Sequence, residues 1–297
     1  EFTAFNQAAT QRFTDWRAAV TPRLTAFGQG GHPKALIEAI AEALLAAFSQ
    51  APLLDAYDLY QHLMDFAAET MQDDAYLIAA DGWVAKTSRI PGTEKSDKKG
   101  KTKDRGWTCD LIPKRLIVAR YFAKEQAAIE ALQAELDAAS ASQTELEEEQ
   151  CGDDGVFAGF EGITAAAVKD RMREIGNDRD GVDELKLLRQ WLDLSTQVAA
   201  LKKQVKDAEA ALDKMSYEKY PKLTEADVKS LVVDDKWMVR LAASVQGELD
   251  RVSQTLTGRI RELAERYASP LPQLTDEVAA LAAKVEGHLE KMGASWK

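Results

Sequence analysis

Three histidines and two cysteines are all that this chain offers of the commonest metal-ligating and nucleophilic side chains. His62 has the most useful surroundings. On a helix it shares its neighbourhood with Asp58, Asp65 and Phe66, so either carboxylate could hold the imidazole as a general base. The same spacing describes a histidine hydrogen-bonded within packed helices, which is the reading adopted. His32 opens a helix and His288 falls in a heptad-like final segment, neither beside a nameable partner. Asp73-Asp74 could approach a divalent cation, but no third or fourth oxygen ligand stands at a useful distance. Phe27-Gly28-Gln29-Gly30-Gly31 is the one glycine cluster able to cradle a phosphate. A dinucleotide loop follows a buried strand, whereas the residues before this cluster are polar and broken by Pro22, so it reads as an inter-helix loop. Cys109 and Cys151 lack metal-ligand spacing and read as reduced thiols. No Cys/His couple, Gly-x-Ser-x-Gly turn or phosphate loop is present. The expectation is a chain with no catalytic, cofactor or metal site of its own.

Residues 86–105 offer a different chemistry. Lys86, Arg89, Lys95, Lys98, Lys99, Lys101, Lys103 and Arg105 stand against Glu94, Asp97 and Asp104, with Trp83 and Trp107 flanking the run. Lysines on a hairpin loop can contact nucleic-acid phosphates, and Lys98, Lys99, Lys101 and Lys103 are the candidates. A charge run is equally a solvated loop, and the pattern leaves both open. The net charge of −11 argues against a chain wrapped everywhere around nucleic acid.

The elements that carry these residues read as mainly helical. Phe5, Ala9, Phe13 and Trp16 share one helical face, and Pro22 breaks that pattern. His32-Pro33 opens a second helix with Leu36, Ile40, Leu44 and Phe48 at steps of four. Asp55 is the expected N-cap of a third, over 56–71. The run Ala75-Tyr76-Leu77-Ile78-Ala79-Ala80, the turn at Asp81-Gly82 and the stretch Trp107 to Ile112 suggest two or three short strands. From Pro113 onward nearly everything reads as helix: one over 114–149, a short one over 163–175 and a long one over 187–215.

That long helix has the most regular pattern in the chain. Leu187, Trp191, Leu194, Val198, Leu201, Val205, Ala208, Leu212 and Met215 follow at steps of four and three, a 3.5-residue coiled-coil period. At roughly 1.5 Å per residue the stripe runs on the order of 40 Å. Ile129, Leu132, Leu136, Ala139 and Leu146 keep a matching pattern, so the two helices are expected to fold back as an antiparallel hairpin. Trp237, Leu241, Val245, Leu249, Val252, Leu256, Ile260, Leu263 and Tyr267 mark the next helix, and Leu274, Val278, Leu281, Val285, Leu289 and Met292 the last. The expected fold is mainly α: a helical domain with a small β-hairpin over 1–113, a long antiparallel coiled-coil hairpin over 114–220, and C-terminal bundle helices over 221–297. Leu187, Trp191, Leu194, Val198, Leu201, Val205, Trp237, Leu241, Leu249 and Leu256 are the candidate partner-helix interface. No apolar run approaches the ~20 residues of a membrane span and no signal peptide is read, so a cytoplasmic location and no membrane partner are expected. The chain opens on Glu1 rather than Met, which suggests a piece of a longer polypeptide.

Several strings resemble the C-terminal part of the M (modification) subunit of type I restriction–modification systems. They are Gly31-His32-Pro33-Lys34-Ala35-Leu36-Ile37-Glu38, the run from Pro52 to Asp65 (PLLDAYDLYQHLMD), Glu69-Thr70-Met71-Gln72-Asp73-Asp74, Val232-Val233-Asp234-Asp235-Lys236-Trp237, and VQGELDRVSQTLTGRIRELAERY over 245–267. The resemblance covers essentially the whole chain. It implies part of an adenine-N6 DNA methyltransferase that binds S-adenosylmethionine and works with an S (specificity) subunit, an R (restriction) subunit and DNA. The family's Asn/Asp-Pro-Pro-Tyr/Phe strip, which holds a flipped-out adenine, needs consecutive prolines. All eight prolines here stand apart, at Pro22, Pro33, Pro52, Pro91, Pro113, Pro221, Pro270 and Pro272, so no catalytic residue carries over. S-adenosylmethionine is then expected in the catalytic part of the M subunit. This chain would be the helical region that docks on the S subunit, inactive alone; a self-associating coiled-coil scaffold is the alternative.

Overall fold

A computed structural model describes residues 2–90, 106–152, 155–176, 181–268 and 271–293. It is mainly helical with one small two-stranded sheet. Two compact units divide the chain: residues 1–82 with 237–297, and residues 83–236.

In the first unit, α1 (Phe2–Ala26) buries Ala9, Phe13, Trp16, Val20 and Leu24 against α2 (Pro33–Phe48). The Trp16 indole donates to the carbonyl of Ile40 at 3.2 Å, and Arg12 donates to that of Ala47 near the C-terminal end of α2. Pro22 does not end α1. Its ring lies on the exposed face, and buried residues on either side carry the helix past the lost hydrogen bond. The glycine cluster is the α1–α2 connection, with Gly30 at φ +74° and its N–H donating to Ala79.

Asp55 caps α3 (Ala56–Phe66), accepting from the Tyr57 N–H at 2.9 Å. A π-helical turn (Ala67–Met71) then leads without a break into α4 (Gln72–Asp81). The expected strand over 75–80 is therefore helix. The one-residue insertion of the π turn keeps Leu59, Leu63, Phe66, Met71, Ala75 and Ile78 on one buried face, while Tyr76 points to water. Gly82, at φ +77°, ends α4. The first unit is completed by α10 (Val239–Arg266) and α11 (Leu271–Lys291).

In the second unit, among the described residues, the sheet pairs β1 (Ser88–Arg89) with β2 (Trp107–Thr108), antiparallel with Arg89 opposite Trp107. The helix expected over 114–149 is two, α5 (Lys114–Tyr121) and α6 (Ala123–Glu149), because Phe122 takes non-helical angles of φ −130° and ψ 30°. After α7 (Ala165–Ile175) comes α8 (Val182–Lys219), longer at both ends than its heptads imply. α6 and α8 pack antiparallel. Leu146 meets Leu188 and Trp191 at one end, Leu136 and Ala139 meet Val198, Leu201 and Val205 in the middle, and Ile129 meets Leu212 at the other end. Burial on α8 recurs at Trp191, Val198, Val205 and Leu212, a step of seven. The first buried leucine is Leu188, with Leu187 only half-buried.

A 3₁₀ turn (Tyr220–Lys222) and α9 (Glu225–Lys229) follow, and a π-helical stretch (Ser230–Met238) runs past the end of the second unit into α10. The boundaries thus fall at 82/83 and 236/237 rather than at 113 and 220. Side chains explain the difference. The Tyr220 hydroxyl donates to the carbonyl of Ile112 at 2.7 Å, and the Lys236 ammonium donates to that of Leu111 at 2.8 Å. These bonds attach 221–236 to the segment after β2, whereas Trp237 turns its indole to Asp74 of the first unit.

Candidate helix-docking surface

The residues singled out for chemistry serve structure. His62 does not face a base-orienting aspartate: its Nε2 lies 3.6 Å from Oε2 of Glu248 on α10, and Asp65 accepts from Gln61 instead. Arg251 donates to Glu248 at 2.8 Å and to Asp58 at 3.2 Å. This set joins α3 to α10 around the buried Glu248 carboxylate. The hydrogen bond from Arg251 holds that carboxyl below its ordinary value against the opposing effect of burial, with His62 adding to the depression. A depressed carboxylate stabilises the fold fully above its unfolded pKa, and the contribution is lost as pH falls through the lower native value. The stability is therefore expected to decline on acidification below about pH 4.5. Glu248→Gln should flatten that decline in thermal melts and cost about 1–2 kcal/mol at neutral pH. His62→Ala, losing one contact of a half-exposed ring, should cost under about 1 kcal/mol.

Asp74 is buried and accepts from the Trp237 indole at 2.8 Å, which removes it from any cation site. Burial pushes the Cys109 thiol up, so it is no poised nucleophile. Among the described residues no group of three His, Cys, Asp or Glu side chains could hold a metal ion, and no helix is long and apolar enough to cross a membrane.

Lys98, Lys99, Lys101 and Lys103 lie outside the described residues. The strand β2 is anchored by its tryptophan. The Trp107 indole donates to Asp213 at 3.1 Å, Lys114 pairs with the same carboxylate, and the ring meets Tyr217 and Tyr220 edge-on at 5.3 and 5.1 Å. Burial raises the Asp213 pKa, but the bonds from Lys114 and Trp107 outweigh it and leave the net value lowered.

The apolar seams divide sharply by what covers them. Trp191, Val198, Leu201 and Val205 are buried by the chain's own α6 region, with Leu187 and Leu194 half-buried beside them. Trp237, Leu241 and Leu249 are likewise buried within the first unit. These seven are therefore committed inside the chain, which corrects the expectation that they meet a partner helix. Leu256 is half-buried and marks the change. Beyond it Ile260, Leu263 and Tyr267 are exposed. On α11 no residue is buried, and Leu271, Val278 and Leu281 are 77%, 65% and 60% exposed.

Leu271, Leu274, Val278, Leu281 and Val285 recur at steps of three and four, with Ala279, Ala280, Ala282 and Ala283 between them. Such a stripe has the spacing of a coiled-coil seam, and among the described residues nothing buries it. An exposed apolar face of this kind is a candidate interaction surface. Comparison with protein-family models, with curated proteins and with solved structures finds no match.

Proposed function

We propose that this chain is the non-catalytic C-terminal assembly region of the M subunit of a type I restriction–modification adenine-N6 DNA methyltransferase. It docks on helices of the S subunit through α11 and the end of α10. The uncovered heptad stripe of α11 carries the reading, since an apolar stripe exposed to water gains free energy when a partner helix buries it. The α6–α8 pair acts as an antiparallel coiled-coil brace. The S-adenosylmethionine chemistry belongs to the catalytic part of the M subunit, with the R subunit and DNA as partners of the assembled, cytoplasmic complex. Lys98, Lys99, Lys101 and Lys103 contribute phosphate contacts, so their replacement should flatten the salt dependence of complex–DNA binding; an unchanged slope removes them from the interface.

The stripe also favours a second reading, a self-associating scaffold. Val278 and Val285 alternate with Leu274 and Leu281, a pattern that suits two-stranded coiled coils. Size exclusion with light scattering separates the two. A stable heteromer with the S subunit supports assembly, whereas a homodimer that ignores the S subunit supports the scaffold.

A further inference from the structure

The connection between α2 and α3 has backbone chemistry that folding does not explain. After Pro52 the chain turns through Leu53 at φ +64°, the one non-glycine residue with a positive φ among those described. Proline followed by a positive φ is the order of a type II turn, where glycine or asparagine fits. A leucine there crowds its Cβ against the following carbonyl. Burial gives little in return: Leu53 is 58% exposed, and Tyr57, at the start of α3, is 69% exposed. Both line an open cleft of about 750 Å³ whose wall includes Leu45, Phe48 and Leu54. Its charged lining residues are Glu42 and Asp55, with no lysine or arginine among them.

A strained backbone that displays a large apolar side chain to water is a feature that binding, rather than folding, maintains. We propose that this cleft docks a basic, amphipathic protein segment. Its apolar side chain seats between Leu53 and Tyr57, and its Lys or Arg side chains face Glu42 and Asp55. The acidic lining disfavours phosphate-bearing occupants, nucleic acid and anionic bilayers alike. The site shares no residue with α11, so its fate is independent of the docking proposed above.

The test uses the whole chain and a fluorescent helical peptide of about 18 residues, leucine on one face and lysine on the other. Binding is read by anisotropy, with a scrambled peptide of the same composition as control. The wild-type chain should bind the amphipathic peptide in preference to the scrambled one, and more weakly as salt rises. Leu53→Asn should melt at or above the wild-type temperature, because asparagine tolerates this conformation, yet bind about tenfold or more weakly. Tyr57→Ala should weaken binding similarly. Equal binding of the two peptides, unchanged affinity in Leu53→Asn, or a lowered melting temperature in that variant would each overturn the proposal. So would tight binding to phosphatidylglycerol vesicles that Leu53→Asn abolishes.

Discussion

Leu274→Lys combined with Leu281→Lys is expected to leave the melting temperature of this chain unchanged and to abolish the complex proposed above with an S subunit. Both leucines are exposed in α11, so their removal takes no apolar area out of a core. Lysine has nearly the helix propensity of leucine, so α11 itself should persist. Within a docked seam the same substitutions would bury two ammonium groups without partners, each costing several kcal/mol. A loss of affinity beyond about a thousandfold is the expected size, since every 1.4 kcal/mol is tenfold. Val198→Lys is the internal comparison. That residue is buried by α6, so the variant should lose stability, by about 3 kcal/mol or more, through an unpaired buried charge. Titration calorimetry against the S subunit, with thermal melts of each variant, gives both readings. Survival of the complex in the α11 double variant would sink the docking assignment, and a stable Val198→Lys chain would contradict the internal packing of α8.

This contrast also marks how far the sequence could be read. The heptads of α8 and α11 have the same alternation of threes and fours, and each forms the helix its pattern implies. Nothing in the spacing says which stripe meets α6 and which meets nothing in the described chain, because the answer lies in where the intervening segments lead. Cap chemistry was legible at Asp55, whose side chain accepts the Tyr57 N–H. Breaks without glycine or proline were not: Phe122 separates α5 from α6 through tertiary packing, and its cluster with Val118, Ile129 and Leu212 gives no local signal. The run over 75–80 misled for a related reason. Its alanines and Ile78 suit a buried strand or a buried helix, and only the register inherited through the π turn at 67–71 decides between them. Pro22 illustrates the reverse case, a helix breaker overruled by the buried face around it. The exposed Leu53 could have been suspected from Pro52-Leu53, a turn written without the glycine that usually follows.

The largest expected loss of stability in the first unit comes from Trp237. Its ring is fully buried at the end of the π-helical stretch, and its indole N–H reaches a carboxylate 163 positions away in sequence, the buried Asp74. Trp237→Ala should cost about 3–5 kcal/mol in urea unfolding, the ordinary range for emptying an aromatic site. Trp237→Phe keeps most of the apolar volume but withdraws one donor from a buried carboxylate, for which about 1–3 kcal/mol is expected. Combining Trp237→Phe with Asp74→Asn should cost less than the two changes added together, since each removes part of the same bond. Strict additivity would show that the pair does not interact in solution. The consequence extends to docking. α10 begins at Val239, so the seating of Trp237 fixes the rotation at which that helix starts, and with it the face on which Ile260, Leu263 and Tyr267 emerge. A folded Trp237→Phe chain is therefore expected to bind the S subunit more weakly than wild type although no residue of the docking stripe has changed. Equal affinity in that variant would mean that the buried Leu241 and Leu249 and the Glu248–Arg251–Asp58 set hold α10 in place without the Trp237–Asp74 bond.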